Sequence, residues 1–231
     1  HELEIKDWTC RDRKEIHFDI PKAYPLPALH STVRIEITHF YNVSKFICRY
    51  TRLKSSDYDT TTLINHMNKE GELKDYKQLM GCPALMQLVV VKSNNIFQRG
   101  RIVSHLDECN MADVLFVDLG VIEKIHFKDL YVWQPRFNYI SFQAIEMEVA
   151  NIQPLPDNTG DEEAIEIIRK HQNKCHGALK AVIFENILGI KCKLLNADGD
   201  DIGEELVSQG LVDAKKIDPP TPEVYGAFLP G

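Results

Sequence analysis

Val114-Leu115-Phe116-Val117-Asp118-Leu119-Gly120-Val121 is the stretch that decides how this chain is read. Four apolar residues run into Asp118, Gly120 supplies a backbone free to take a positive φ, and a second β-rich run extends from Val121 to Phe127. The pattern predicts strand, tight turn, strand. Alternation sets Phe116 on the face opposite Leu115 and Val117, without saying which face is core. Upstream, Leu85 to Val91 and Ile96 to Val103 add two more short strands, separated by polar or glycine-containing turns. Four compact antiparallel strands after Cys82-Pro83 predict a small barrel.

Outward from there, Val33, Ile35 and Ile37 alternate with Arg34, Glu36 and Thr38, and Phe46 to Tyr50 follows Asn42, which predicts a hairpin. Asp57 and Asp59 precede Leu63, Ile64 and Met67, with Tyr76 and Leu79 beyond, a helical spacing that Gly71 splits in two. After Trp133-Gln134-Pro135, Ile145, Met147 and Val149 alternate until Pro154 and Pro156 end the strand. Asp161-Glu162-Glu163 opens a helix that closes on Arg169 and Lys170, complementing the helix dipole at both ends. Two strands, Leu179 to Phe184 and Ile190 to Leu195, precede the turn at Asp198-Gly199. A short helix follows on Ile202, Leu206 and Val207, with Gly210 at its C-terminal end. Prolines 21, 25 and 27 make residues 1–32 an extended arm, and prolines 219, 220 and 222 make residues 215–231 an extended tail.

The 231 residues carry 27 Lys and Arg against 34 Asp and Glu, a net charge of −7 that favours a cationic partner over nucleic acid phosphate. No window approaches the ~18 apolar residues of a membrane helix, so no membrane partner is expected. Six widely spaced cysteines without a CxxC pair predict reduced thiols and a cytosolic compartment. Asn42-Val43-Ser44 matches a glycosylation sequon but lies within a strand-like run, and such triplets are frequent by chance.

The Val114 to Val121 stretch, followed by Asp129-Leu130, resembles the F-(I/V)-D-Y-G-N … D-L signature of Tudor domains, and Phe97-Gln98-Arg99-Gly100-Arg101-Ile102 resembles their W-Y-R-A-x-V strand. Ile35-Glu36-Ile37-Thr38-His39-Phe40 is similar to the V-x-V-T-x-V strand that precedes an extended Tudor domain. Leu195, Gly199, Ile202, Leu206, Val207, Gly210 and Leu211 match the spacing of its later lobe. The order of these blocks over residues 33 to 213 carries the resemblance. It implies a mainly β fold with a few helices, a Tudor barrel plus a staphylococcal-nuclease-like (OB-type) barrel lobe. The first part of that lobe and a helix would span 33–80, the Tudor barrel 81–132, and the rest of the lobe 133–214.

The resemblance also implies function: a non-catalytic adaptor of a germline piRNA-pathway protein, binding the arginine-containing N-terminal peptide of a PIWI-clade Argonaute in cytoplasmic, perinuclear germ granules (nuage). In the family an aromatic cage holds the cation, each ring contributing ~0.5 to 2 kcal/mol. Here Gln98 stands at the tyrosine of the W-Y-R-A strand, and Leu119 and Val121 stand at the tyrosine and asparagine of D-Y-G-N. Phe116 survives as a wall, and the remaining wall falls near Val91 or Lys92. Losing two or three rings removes ~1 to 4 kcal/mol, enough to abolish methyl-selective binding at micromolar affinity. The cage-equivalent residues are therefore Phe116, Leu119, Val121 and Gln98. Phe97, Val91, Asp118 and Glu123 are secondary, with Asp118 and Glu123 as an acidic rim. Phe40 or Tyr41 would rebuild the cage if either reached it from its loop.

Other chemistries find less support. A nuclease needs clustered carboxylates for a metal and an arginine on the phosphate, and no such set matches. His171, Cys175 and His176 lack the second cluster that a zinc site requires, and Asp198 to Glu205 lack calcium-loop spacing. No metal and no cofactor are expected. Lys191 and Lys193, or Arg99 and Arg101, are too few for an RNA stripe, and Tyr131, Trp133, Phe137 and Tyr139 read as interface core before a stacking platform.

Overall fold

A computed structural model describes residues 26–51, 60–71, 76–186 and 189–217. In chain order the elements begin with β1 (Thr32–Phe40), β2 (Lys45–Tyr50), α1 (Thr60–Gly71), β3 (Leu88–Ser93) and β4 (Ile96–Ile102). β5 (Met111–Phe116), β6 (Val121–His126), β7 (Leu130–Val132), β8 (Ala144–Val149) and β9 (Ile152–Pro154) follow. The chain closes with α2 (Asp161–Lys174), β10 (Leu179–Glu185), β11 (Ile190–Leu195), α3 (Ile202–Ser208) and β12 (Val212–Ala214).

The alternation along β1 has a direct consequence. Ile35 and Ile37 are buried while their neighbours face outward, and the strand joins a closed barrel in the order β1-β10-β11-β8-β2. Neighbours are antiparallel except β11 and β8, so the parallel contact joins the third and fifth barrel strands in chain order, which is OB-type topology. The interior holds Phe46, Cys48, Met147, Leu179, Ala181 and Cys192, with Ala164 and Ile168 of α2 and Ile202 and Leu206 of α3 packed against it. Three acidic residues occupy the first turn of α2, where no side chain caps the helix. Asn42, the asparagine of the sequon, has its side-chain oxygen committed to the β1–β2 turn, accepting from the backbone of Ser44 and Lys45.

Between β2 and β8 the chain builds a second sheet, in the order β6-β5-β4-β3-β7. Asn94 and Asn95 both take positive φ at the β3–β4 turn, as a two-residue hairpin requires. The mainly β fold with a few helices, one barrel set into an OB-type barrel, is thus present.

One local expectation fails. Tyr76 and Leu79 do not continue a helix: the Leu79 amide donates to the Leu130 carbonyl, and Gln78 bridges Tyr131, so this segment lies along the edge of β7. An unpaired strand edge offers the backbone hydrogen bonds that the helical pattern could not foresee. Asp57 and Asp59, residues 1–25 of the expected arm and residues 218–231 of the expected tail lie outside the described residues.

Candidate functional site: the mouth of the inserted barrel

Directly opposed residues of an antiparallel pair share a face. Gln98 opposes Val91, Phe116 opposes both Gly100 and Val121, and Val114 opposes Glu123, so Gln98, Phe116, Val121 and Glu123 share the inner face of the inserted barrel, and Leu119 packs against the same cluster from the turn. Lys92 opposes Phe97 on the outer face, where its ammonium lies 5.5 Å from the ring centroid. The wall upstream of the β3–β4 turn is therefore Val91, which is fully buried, with Ser93 beyond it. The Ser93 hydroxyl donates to the exposed Glu123 carboxylate at 3.2 Å, tying β3 to β6 across the opening.

Phe116 is not the exposed wall its position predicts. It is 1% exposed and packs in the barrel core with Val89, Val91, Val114 and Leu130, because the bulkiest inner side chain of β5 fills the space the curved sheet encloses. Leu119 and Val121 are half-buried against the same cluster, and Gln98 is half-buried beside them. The mouth is thus an apolar ledge of Leu119 and Val121, with one amide and one carboxylate, over a phenylalanine floor whose faces are covered.

Asp118 is not a rim residue either. It is 5% exposed and pairs with Arg99, whose Nε donates to one carboxylate oxygen at 2.8 Å and whose Nη2 donates to the other at 2.5 Å. The other guanidinium hydrogens reach the carbonyls of Phe137, Ile140 and Ser141 at 2.8, 2.6 and 3.1 Å, and Phe142 stacks 5.1 Å from the guanidinium carbon. One fully buried cation therefore joins β4, the turn bearing Leu119, and the linker into β8. A charge so deeply desolvated is tolerable because each donor has an acceptor. In the sequence Arg99 stands at the arginine of the W-Y-R-A strand and, with Arg101, makes too few charges for an RNA stripe. Its reach to the carbonyls of Phe137, Ile140 and Ser141 has no local sequence signal, since these lie about forty residues away.

The turn is fixed against the OB-type barrel. Thr38 donates its hydroxyl to the Gly120 carbonyl at 2.8 Å, and a Cβ on Gly120, whose φ is +73°, would sit 2.3 Å from that hydroxyl oxygen. Leu115 and Val117 pack with Ile47 of β2 and with Phe142, so both faces of β5 are buried, one in the barrel and one between the lobes. Phe97 stacks on Tyr76 at 4.4 Å and meets Tyr131 edge-on, in a cluster with Leu63, Met67 and Phe137 beneath α1. Tyr41 donates to Glu146 and Phe40 lies 6.1 Å from Phe46, which places both on the OB-type barrel. Trp133 meets Phe142 edge-on, and Tyr139 is exposed beside His66. His171 is held by Glu205 at 2.8 Å, and among the described residues no three His, Cys, Asp or Glu side chains gather as a metal site would need.

A five-stranded barrel inserted into an OB-type barrel, its mouth turned toward the junction, is the architecture of an extended Tudor domain. The chain belongs to the Tudor domain family, whose pattern matches residues 28–151. Among solved structures it is similar to the extended Tudor domain TD3 of mouse TDRD1 in complex with a MILI peptide containing dimethylarginine, with a TM-score of 0.68 at 18% identity, covering 84% of this chain and 98% of that one. The human TDRD1 extended Tudor domain with a symmetrically dimethylated E2F peptide gives 0.70 at 17%, covering 85% and 96%. A single-site variant of the Drosophila melanogaster Papi extended Tudor domain gives 0.62, covering 80% of this chain and all of that one. It is solved with a Piwi N-terminal peptide, dimethylated at 18% identity and unmethylated at 17%. No curated protein matches the chain significantly.

Proposed function

We propose that the barrel mouth binds an arginine-containing peptide without requiring arginine methylation, and that the ligand is the N-terminal tail of a PIWI-clade Argonaute. The observation that carries this reading is the mouth itself, where Gln98 and Leu119 stand in place of rings, Val121 in place of an asparagine, and Phe116 is covered. Methyl groups gain affinity by lying against aromatic faces, and a guanidinium beside an apolar ledge with an amide and a carboxylate gains little from them. The Papi complexes support it, since that extended Tudor domain is solved with both forms of a Piwi peptide. Tudor domains are typically peptide-binding modules without catalysis, and a scaffold role in the piRNA pathway, in perinuclear germ granules, follows from such a ligand.

Calorimetry with a Piwi N-terminal peptide, unmodified and symmetrically dimethylated, tests this. Equal or tighter binding of the unmodified form is expected, with Val121→Arg abolishing it by placing a like charge on the ledge. A dimethyl preference of tenfold or more, about 1.4 kcal/mol, would sink the methylation-independent reading.

A further inference from the structure

On the side of the inserted barrel covered by α1, a groove of about 530 Å³ runs between that helix and the β3–β4 hairpin. Its floor is Ile64, Ile96 and Phe97, and its walls carry Asn65, Asn68, Asn95 and Lys92. The volume falls within the ~300–1,000 Å³ of ligand sites. Ile96 is 41% exposed, which leaves an apolar side chain facing water at the centre of the hairpin tip.

Two features define what fits. β5 pairs with β4 only at Gly100 to Ile102, so the backbone at Phe97 has an uncovered edge. Asn68 covers one residue of it, donating to the Phe97 carbonyl at 3.1 Å and accepting from the Phe97 amide at 2.8 Å, as a neighbouring strand would. Asn65 lies one helical turn earlier and is exposed, and Asn95 is displayed by a turn residue at φ +62°. These amides offer the same donor and acceptor pair to an incoming backbone that Asn68 gives to Phe97. The second feature is charge. In a chain of net charge −7, Lys92 is the charged residue among the described ones that line this groove, and none of those is a carboxylate.

We propose that this groove is a second binding site, for an acidic peptide segment in extended conformation. The backbone of that segment is met by Asn65 and Asn95, an apolar side chain by Ile64 and Ile96, and a carboxylate by Lys92. The site lies on the face of β4 opposite the barrel mouth, so the two are independent, and one chain can join an arginine-rich ligand to an acidic one.

Selection of a random-heptapeptide display library on the whole chain tests it. Enrichment of Asp- and Glu-containing sequences is expected. The synthetic peptide made from them should lose tenfold or more in affinity on Lys92→Glu and several-fold on Asn65→Ala, and bind Val121→Arg unchanged. Absence of acidic enrichment overturns the proposal, as does an enriched acidic peptide that tolerates Lys92→Glu or is lost on Val121→Arg. Neither result bears on the calorimetry of the Piwi peptide, which reads the other face.

Discussion

The two barrels solve the burial problem differently. The OB-type barrel closes on itself, so β1, β10 and β11 hide one face and leave the other more open, while β2 also buries Ile47 against the inserted barrel, and its interior is a single cluster. The inserted barrel stays open between β6 and β7, and its central strands are covered on both faces: Phe116 and Val91 inside, Val90 and Phe97 beneath α1, Leu115 and Val117 against Ile47 of the neighbouring barrel, while β6 leaves Glu123 and Lys124 exposed. An open sheet lacks the hydrogen-bonded ring that would fix its curvature. Arg99, Asp118 and the Thr38–Gly120 contact supply that constraint from outside. A barrel mouth built this way takes its shape from its neighbour as much as from its own strands.

The sharpest way to break the contrast is Arg99→Ala. Removing the guanidinium strands the buried Asp118 carboxylate and three carbonyls, and a loss of about 3–5 kcal/mol is expected in urea unfolding. Circular dichroism and, in a Trp8→Phe background, Trp133 fluorescence should separate into two transitions, the inserted barrel unfolding first. A single transition shifted by under 1 kcal/mol, the scale of an exposed pair, would show that the ion pair is dispensable.

Gly120→Ala comes next. The positive φ and the Cβ placed 2.3 Å from Thr38 Oγ1 are expected to cost about 1–3 kcal/mol. Combining it with Thr38→Ser should leave most of that loss, because the hydroxyl remains. Thr38→Ala in the Gly120→Ala background should recover part of it, and no recovery would place the cost in the backbone alone.

Thiol reactivity compares the lobes without mutation. Burial pushes the Cys192 thiol up to about 12 and raises Cys48 well above its ordinary value. Alkylation at pH 8 is expected at the exposed Cys82 and Cys109, while Cys48 and Cys192 react only after unfolding. Labelling of Cys192 in the native protein would mean that the closed barrel opens under native conditions.

The smallest effect concerns pH. Partial burial, then the nearby Arg169, lowers the pKa of His39, so the unfolded chain binds this proton more tightly than the folded one. The stability tied to His39 is present above the ordinary value of 6.5 and is lost as pH falls through the lower folded value. His39→Gln should flatten that slope between pH 7.5 and 5.5, and an unchanged slope would assign it to other groups.

Ile190 to Leu195 is predicted and observed as a strand over the same residues, and the acidic opening of α2 marks its true start, because alternation and end charges are local properties. The helix predicted through Leu79 fails because the edge of β7 claims that segment. At the site, the sequence names the mouth positions through the Val114 to Val121 pattern. Which of them present a surface depends on packing: Phe116 becomes floor and Asp118 becomes a clamp.

What the sequence determined by itself is the succession of strands, the turn at Asp118-Leu119-Gly120 and the substitution of Gln98 and Leu119 for rings and of Val121 for an asparagine, since these are matters of residue identity and short-range periodicity. Only the tertiary structure decided that both faces of β5 are buried and that Arg99 reaches across to Ser141. Burial and hydrogen-bond satisfaction depend on segments about forty residues apart meeting in space, and no local pattern carries that information.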